Sequence, residues 1–256
     1  MRPFLSVVIP AYNESKRLPL TLINVDKNLS ARDYSYEIIV VNDGSTDSTA
    51  DIVTRFSKII KNLRLIDNME NHGKGWVVRQ GMLSARGSWR LFMDADNSTT
   101  IDQFDAMVPF FSAGGGSAFG EKESFDVVIG SRALKGSRLE PPQPIIKRLL
   151  GKFGNLIIQI IALKGFKDTQ CGFKCFSEEA TEAVFRRAKI NRWGFDVEIL
   201  LLAKMLGFTI KEIPVRWVND ARSSVGWRGY FSTLLDVVKI KIWVILKKYN
   251  QKEISL

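Results

Sequence analysis

The chain is 256 residues long, 45% hydrophobic and 25% charged, enough apolar material for one large α/β domain or two small ones. Two cysteines and a single histidine exclude a disulfide framework, nearly exclude a zinc centre of Cys and His ligands, and suit a reducing compartment. Lys and Arg number 37 against 27 Asp and Glu; the net charge of +10 favours an anionic partner, and without an RNP-type aromatic motif or zinc-finger spacing no nucleic acid is expected.

The apolar run at residues 6–9 predicts a buried strand almost at the start, without the basic and apolar regions of a signal peptide. Residues 37–41, 63–66, 90–93 and 127–129 predict four more short strands. Helices are predicted after Asp47-Ser48 through Ile52, Val53 and Phe56, from Trp76 to Ser84, and after Ser98-Thr99-Thr100 through Phe104 to Met107. Strands alternating with helices imply a mostly parallel sheet flanked by helices on both faces. Residues 113–123, with three consecutive glycines, read as a mobile surface loop. On a helix over 146–161, Ile146, Leu149, Leu150, Phe153, Leu156, Ile157, Ile160 and Ile161 share one face and Lys147, Arg148 and Lys152 the other, which suits a helix lying in a membrane interface. Residues 230–249 are also apolar, but no stretch reaches the ~20 uninterrupted apolar residues that a bilayer span needs.

In a parallel sheet ligands bind beyond the carboxyl ends of the strands. Each predicted strand end here carries a polar cluster: Pro10-Ala11-Tyr12-Asn13-Glu14, then Asn42-Asp43-Gly44-Ser45-Thr46-Asp47, then Asn71-His72-Gly73-Lys74-Gly75, then Asp94-Ala95-Asp96. Asp94 and Asp96 are two apart on an extended chain and emerge on the same side. Such paired carboxylates call for a hard cation, Mg2+ or Mn2+, shared with nucleotide phosphates. A tyrosine can stack on a base and a carboxylate can accept from a base N–H or ribose hydroxyls. Gly73 and Gly75 suit close approach of the backbone to a ligand, and Lys74 brings a charge to a phosphate. Neither the Walker A nor the dinucleotide fingerprint spacing is present.

These four motifs, from Val7-Val8-Ile9-Pro10-Ala11-Tyr12-Asn13-Glu14 to Asp94-Ala95-Asp96, resemble family 2 glycosyltransferases with the GT-A fold. Downstream, Gly130-Ser131-Arg132, Asp168-Thr169-Gln170-Cys171-Gly172-Phe173-Lys174 and Trp193-Gly194-Phe195-Asp196-Val197-Glu198 resemble the polyprenyl-phosphate members, dolichyl-phosphate β-glucosyltransferases above all. The resemblance covers residues 4–225. It implies that Pro10, Tyr12, Glu14 and Asp43 hold the nucleoside, with Gly73 and Lys74 near it. It further implies that Asp94 and Asp96 hold the metal on the diphosphate, that Arg132 faces the phosphates, and that Gln170 and Arg222 serve the acceptor. Asn42, Ser45 and Thr46 are expected to do loop and cap chemistry, and His72 to be a loop residue rather than a base. Asp196 and Glu198 read equally well as site carboxylates and as acids at a helix N-terminus. Processive members carry Gln-x-x-Arg-Trp; here Lys189 replaces the Gln of that motif before Arg192-Trp193, so a chain-extending synthase is not implied.

The expected organisation is a GT-A domain over 1–225 and an amphipathic helical tail over 226–256. The implied reaction is inverting transfer of glucose from UDP-glucose to a polyprenyl phosphate, by a metal-dependent enzyme attached peripherally to the cytoplasmic face of a membrane, directly or through a membrane partner chain. GDP-mannose is the alternative donor, and a non-catalytic sugar-nucleotide-binding scaffold the alternative of another class.

Overall fold

The structure, a computed structural model, describes residues 2–113, 116–117, 124–141, 145–218 and 227–249. In chain order the first elements are β1 (Leu5–Ala11), α1 (Leu18–Leu29), β2 (Tyr36–Asp43), α2 (Thr49–Phe56), β3 (Leu63–Asn68), α3 (Lys74–Ser84) and β4 (Trp89–Met93). Two 3-10 turns, Ile101–Ala106 and Val108–Phe110, lead to the short strands β5 (Ser112–Ala113) and β6 (Gly116–Ser117). Then follow β7 (Val127–Ser131), β8 (Arg138–Glu140), α4 (Ile145–Ile161), β9 (Phe173–Ser177), α5 (Glu178–Phe185), α6 (Phe195–Met205), β10 (Ile210–Pro214), β11 (Arg216–Val218) and α7 (Trp227–Ile245).

The main sheet has seven strands in the order β10-β7-β9-β4-β1-β2-β3. All pairings are parallel except those of β9, which runs antiparallel between β4 and β7. β1, β4 and β7 are buried at every position, as strands covered on both faces must be. One core layer joins α1 to the sheet; the other joins α3, α5, α6 and α7 to it. Each fully buried Leu, Ile or Phe in these layers contributes ~2 kcal/mol.

Strand order reverses at β1: β2 lies on one side and β4 on the other. β1 pairs with β2 through Ala11 but with β4 only over residues 5–8. Pro10 therefore sits where β1 has lost its β4 neighbour, a place where a missing N–H breaks no ladder. The two strands part there, and that crevice at the carboxyl edge is the binding position for an open α/β sheet.

Three expectations need correction. The helix expected through Phe104 to Met107 is a pair of 3-10 turns, with i→i+3 bonds such as Met107 N–H to Phe104 O at 2.8 Å. Pro109, inside the second turn, cannot donate to an α-helical bond and disfavours α geometry at Val108, so the first turn does not extend as an α-helix. The helix expected over 146–161 forms as α4; among its described side chains Ile158, which the expected apolar face left out, is buried, while Leu156 and Ile160 of that face are exposed. The side chains of 145–150 and 152–153, including Phe153, lie outside the described residues, as do most of the glycine-rich stretch 113–123 and Arg222. Finally, β9 and β10 of the main sheet, and the short β5, β6, β8 and β11 outside it, are not among the predicted strands.

Candidate active site

One side of the crevice is built by loops after β1 and β2 that are laced together. Asn13, at φ +55°, donates its backbone N–H to Ser45 Oγ and accepts the Thr46 N–H on Oδ1, at 2.9 and 2.8 Å. Glu14 N–H donates to Thr49 Oγ1, and Asn42 Oδ1 accepts from Ser45. Asn42, Ser45 and Thr46 thus serve the loops, as expected. Tyr12 is 47% exposed, which leaves its ring free to receive a base, whereas Pro10 is buried within β1. The Glu14 carboxylate accepts from Arg17 Nε at 2.6 Å; burial raises its pKa, Arg17 opposes this, and Asp96 and Asp94 add to the rise.

Asp43 ends β2 and organises the next loop. Its carboxylate accepts the N–H groups of His72 and Gly73 at 2.7 and 3.0 Å and Asn71 Nδ2 at 3.1 Å. Burial raises its pKa against those two backbone donors. His72 packs its ring on Trp76, centroids 4.2 Å apart, and serves the loop. Gly73 (φ +98°) and Gly75 allow the close approach of another part of the chain. A Cβ on either would lie 2.5 Å from a carbonyl of the facing segment, Asn191 O or Ile190 O. The glycines are needed because the 190–195 segment presses on this loop.

Asp94 and Asp96 follow β4 at the other lip. Thr21 Oγ1 of α1 donates to Ala95 O at 2.6 Å, and Asp94 N–H donates to Gly172 O at 3.1 Å, so the pair is fixed from both sides. Gly172 is obligatory, since a Cβ there would fall 2.1 Å from Asp94 Oδ2. Lys74 Nζ lies 2.5 Å from Asp94 Oδ1. Burial alone would lower the lysine pKa, but Asp94, Asp196 and Asp96 together raise it, so it is a firm cation. Asp96 accepts the Ser98 N–H at 2.9 Å; burial and then the Asp94 charge push its carboxyl above the usual range.

The donor set fits a divalent cation that is only partly held by protein. Among the described residues no group of three or more His, Cys, Asp or Glu could enclose a metal alone. Mg2+ is characteristically held by one or two carboxylates plus phosphate and water. Asn97 Oδ1, next along the chain, is buried without a hydrogen-bond partner among the described residues, and so leaves polar capacity beside the carboxylates.

Arg132 follows β7 and is tied to Asp168, Nε–Oδ2 at 2.7 Å and Nη2–Oδ1 at 2.9 Å, with Trp217 5.7 Å from its guanidinium. Nη1 is not used by this pair and keeps its donors. Burial would raise the Asp168 pKa, but Arg132 overrides it and holds the group down at about 2. Gln170 N–H donates to Asp168 Oδ1, and its buried Nε2 has no partner among the described residues. Asp196 and Glu198 are not free site carboxylates. Asp196 pairs with the fully buried Lys174, and Glu198 accepts the N–H groups of Lys189 and Ile190 and the Tyr249 hydroxyl. Sequence reasoning assigned no role to Asp168, Lys174 or Trp193. Trp193 lies 5.5 Å from Lys74 Nζ, a proximity set by the fold that no local sequence pattern announces.

Comparison with known proteins shows the family and the fold. The family described as "Glycosyl transferase family 2" matches residues 6–185. A dolichyl-phosphate beta-glucosyltransferase of Dictyostelium discoideum is 36% identical over 252 residues, 95% of this chain and 75% of the relative. In fold, the chain is similar to mannosyl-3-phosphoglycerate synthase from Rubrobacter xylanophilus, with a TM-score of 0.68 at 16% identity, covering 98% of this chain and 77% of the other. It is also similar to glucosyl-3-phosphoglycerate synthase from Mycobacterium tuberculosis, solved with Mg2+ and UDP, with a TM-score of 0.60 at 17% identity over 98% and 81%. This chain belongs to glycosyl transferase family 2 and has the GT-A fold.

Proposed function

We propose that this chain transfers glucose from UDP-glucose to a polyprenyl phosphate of the dolichyl type, with inversion at the anomeric carbon, at the cytoplasmic face of a membrane. The relative named above, a dolichyl-phosphate beta-glucosyltransferase, supports the glucosyl group and the lipid-phosphate acceptor. The observation that carries the reading is chemical. The carboxylates around the Asp94–Asp96 pair are already engaged: Glu14 by Arg17, Asp43 by the 71–73 loop, Asp168 by Arg132 and Asp196 by Lys174. A sugar hydroxyl acceptor would need one of them as a general base. A phosphomonoester does not, because with a second pKa of about 6 it is already largely dianionic at neutral pH.

The residues then have complementary tasks. Asp43 and the ring of Tyr12 receive the nucleoside. Lys74, and the unused donors of Arg132, offset negative charge where diphosphate and acceptor phosphate meet. An acceptor phosphate oxygen bonds to the anomeric carbon as the bond from that carbon to the diphosphate oxygen breaks, and UDP leaves. Asp94 and Asp96 would hold Mg2+ or Mn2+, which when bound supplies Lewis-acid stabilisation of the diphosphate. Gln170 offers its unpartnered amide to the acceptor, and Arg222 is assigned to the same phosphate. A lipid acceptor puts the enzyme at a membrane surface; no helix among the described residues is long and apolar enough to cross one.

Radiolabelled UDP-glucose, UDP-galactose and GDP-mannose, each offered with polyprenyl phosphate and Mg2+ or Mn2+, test the reading. Label should pass to lipid from UDP-glucose. Transfer from GDP-mannose alone would reassign the donor, and no transfer from any donor would leave a binding scaffold.

A further inference from the structure

Helix α7 carries two apolar stripes. The inner one, with Val237 and Ile240 fully buried, packs against α4 and α6. The outer one has no counterpart among the described residues: Leu235, Val238, Ile242 and Ile245 are 57%, 45%, 48% and 67% exposed. Their spacing of three, four and three residues places them on one face over three turns. Burying one stripe in the fold makes the helix stable; it gives no reason for the second.

The charges beside this stripe have one sign. Lys239, Lys241, Lys247 and Lys248 are exposed, and Lys239 Nζ lies over the Trp243 ring at 4.6 Å. The single acid of 227–249 is Asp236, which accepts the Gly194 N–H and is thereby engaged on the protein side. The neighbouring helix α4 exposes Leu156 and Ile160, and no acid occurs between 145 and 167. An apolar ridge edged by lysines is complementary to acyl chains beneath anionic headgroups. A second copy, itself at +10, would leave those lysines unmatched.

We infer that the outer stripe of α7, with Leu156 and Ile160 of α4, docks the enzyme on an anionic lipid surface, the helix lying flat rather than spanning. This rests on the lipid-acceptor reading for its purpose but not for its test. Sedimentation with phosphatidylcholine vesicles, with and without a quarter phosphatidylglycerol, reads the partition coefficient. Wild-type protein should bind the anionic vesicles more tightly and be partly released by 0.5 M salt. The L235S/I242S/I245S variant changes exposed residues only; it should stay folded by circular dichroism and lose roughly tenfold or more of its binding. K241E/K248E should lose a similar factor on anionic vesicles only, and serves alone if the triple variant unfolds. L20S/I23S, exposed on α1, should change nothing.

Wild-type-like binding by the triple variant, or by K241E/K248E, overturns the inference. So does a dimer in sedimentation that the triple variant abolishes while vesicle binding persists. Glucosylation of a short, water-soluble polyprenyl phosphate is measured alongside. If it fails in wild-type protein while vesicle binding behaves as stated, the functional reading is wrong and the docking face stands.

Discussion

The carboxylate of Asp236, on α7, accepts the backbone N–H of Gly194 at 3.2 Å. That bond fixes the start of α6 and the segment before it, whose carbonyls at Ile190 and Asn191 press on the Gly73–Gly75 loop. Trp76 N–H also donates to Asn191 O at 3.2 Å. A helix with an exposed apolar face is thus joined, through one short segment, to the loop that Asp43 organises.

Asp236→Ala should therefore raise the KM for UDP-glucose severalfold and leave kcat for bound substrate less affected. Losing such a capping bond costs ~1 kcal/mol of stability. Ser177→Ala removes the N-cap bond of α5 to Ala180 and serves as a control of similar cost away from the loop. Equal KM values in the two variants would reduce Asp236 to a structural cap.

The parallel strands were legible because strands covered on both faces must be apolar runs, and residues 6–9 and 90–93 are such runs. β9 was not, because Lys174 interrupts Phe173–Ser177, and only its tertiary partner Asp196 makes a lysine tolerable there. α1 was missed because Leu20 and Ile23 are exposed and blur the Leu18, Leu22, Val25, Leu29 stripe. Asp94 and Asp96 could be read because their chemistry depends on residue type and spacing. Gly73 and Gly75 signalled a close approach, but what approaches them, 190–195, is set by the fold. The Arg132–Asp168 bond spans 36 positions, and no local pattern announces it.

The Asp94–Asp96 pair predicts metal dependence with a clear signature. Asp94→Asn or Asp96→Asn removes one ligand charge at nearly constant volume, so the fold should persist. Loss of several kcal/mol of transition-state stabilisation corresponds to a rate drop on the order of a thousandfold. Isothermal titration should show Mg2+-dependent UDP binding in wild-type protein and little in either variant. Full wild-type turnover in EDTA would remove the metal from the mechanism.

Asp168 makes a pH prediction. Its carboxyl is held at about 2, below the ordinary 3.8, so the unfolded chain binds its proton first as pH falls. The pair's contribution is therefore present above pH 4 and disappears between about pH 4 and 2. The shift corresponds to roughly 2 kcal/mol. Asp168→Asn leaves Arg132 uncompensated and should destabilise by ~3 kcal/mol or more at pH 7. The gap between wild-type and variant denaturation midpoints should narrow as pH approaches 2. A gap that stays constant from pH 7 to 2 would mean that the ion pair contributes no charge-dependent stability.

Asp43 tests where the nucleoside lies. Three donors of the 71–73 loop occupy its carboxylate. An ionised carboxylate has about four lone-pair positions, which leaves one for a base N–H or a ribose hydroxyl. Asp43→Ala removes that contact and also frees the loop that places Lys74. Hydrogen bonds to a charged group are each worth about 1.5–3 kcal/mol, so UDP affinity should fall tenfold or more. Asp43→Asn keeps one acceptor oxygen for the loop and should lose less. The apparent KM for polyprenyl phosphate should stay within twofold in both, because Arg132 and Gln170 belong to the other lip. Calorimetric titration with UDP reads the first effect and acceptor kinetics the second. Unchanged UDP affinity in a folded Asp43→Ala protein would move the nucleoside out of this crevice, and a matching rise in the acceptor KM would show that the two lips are not independent.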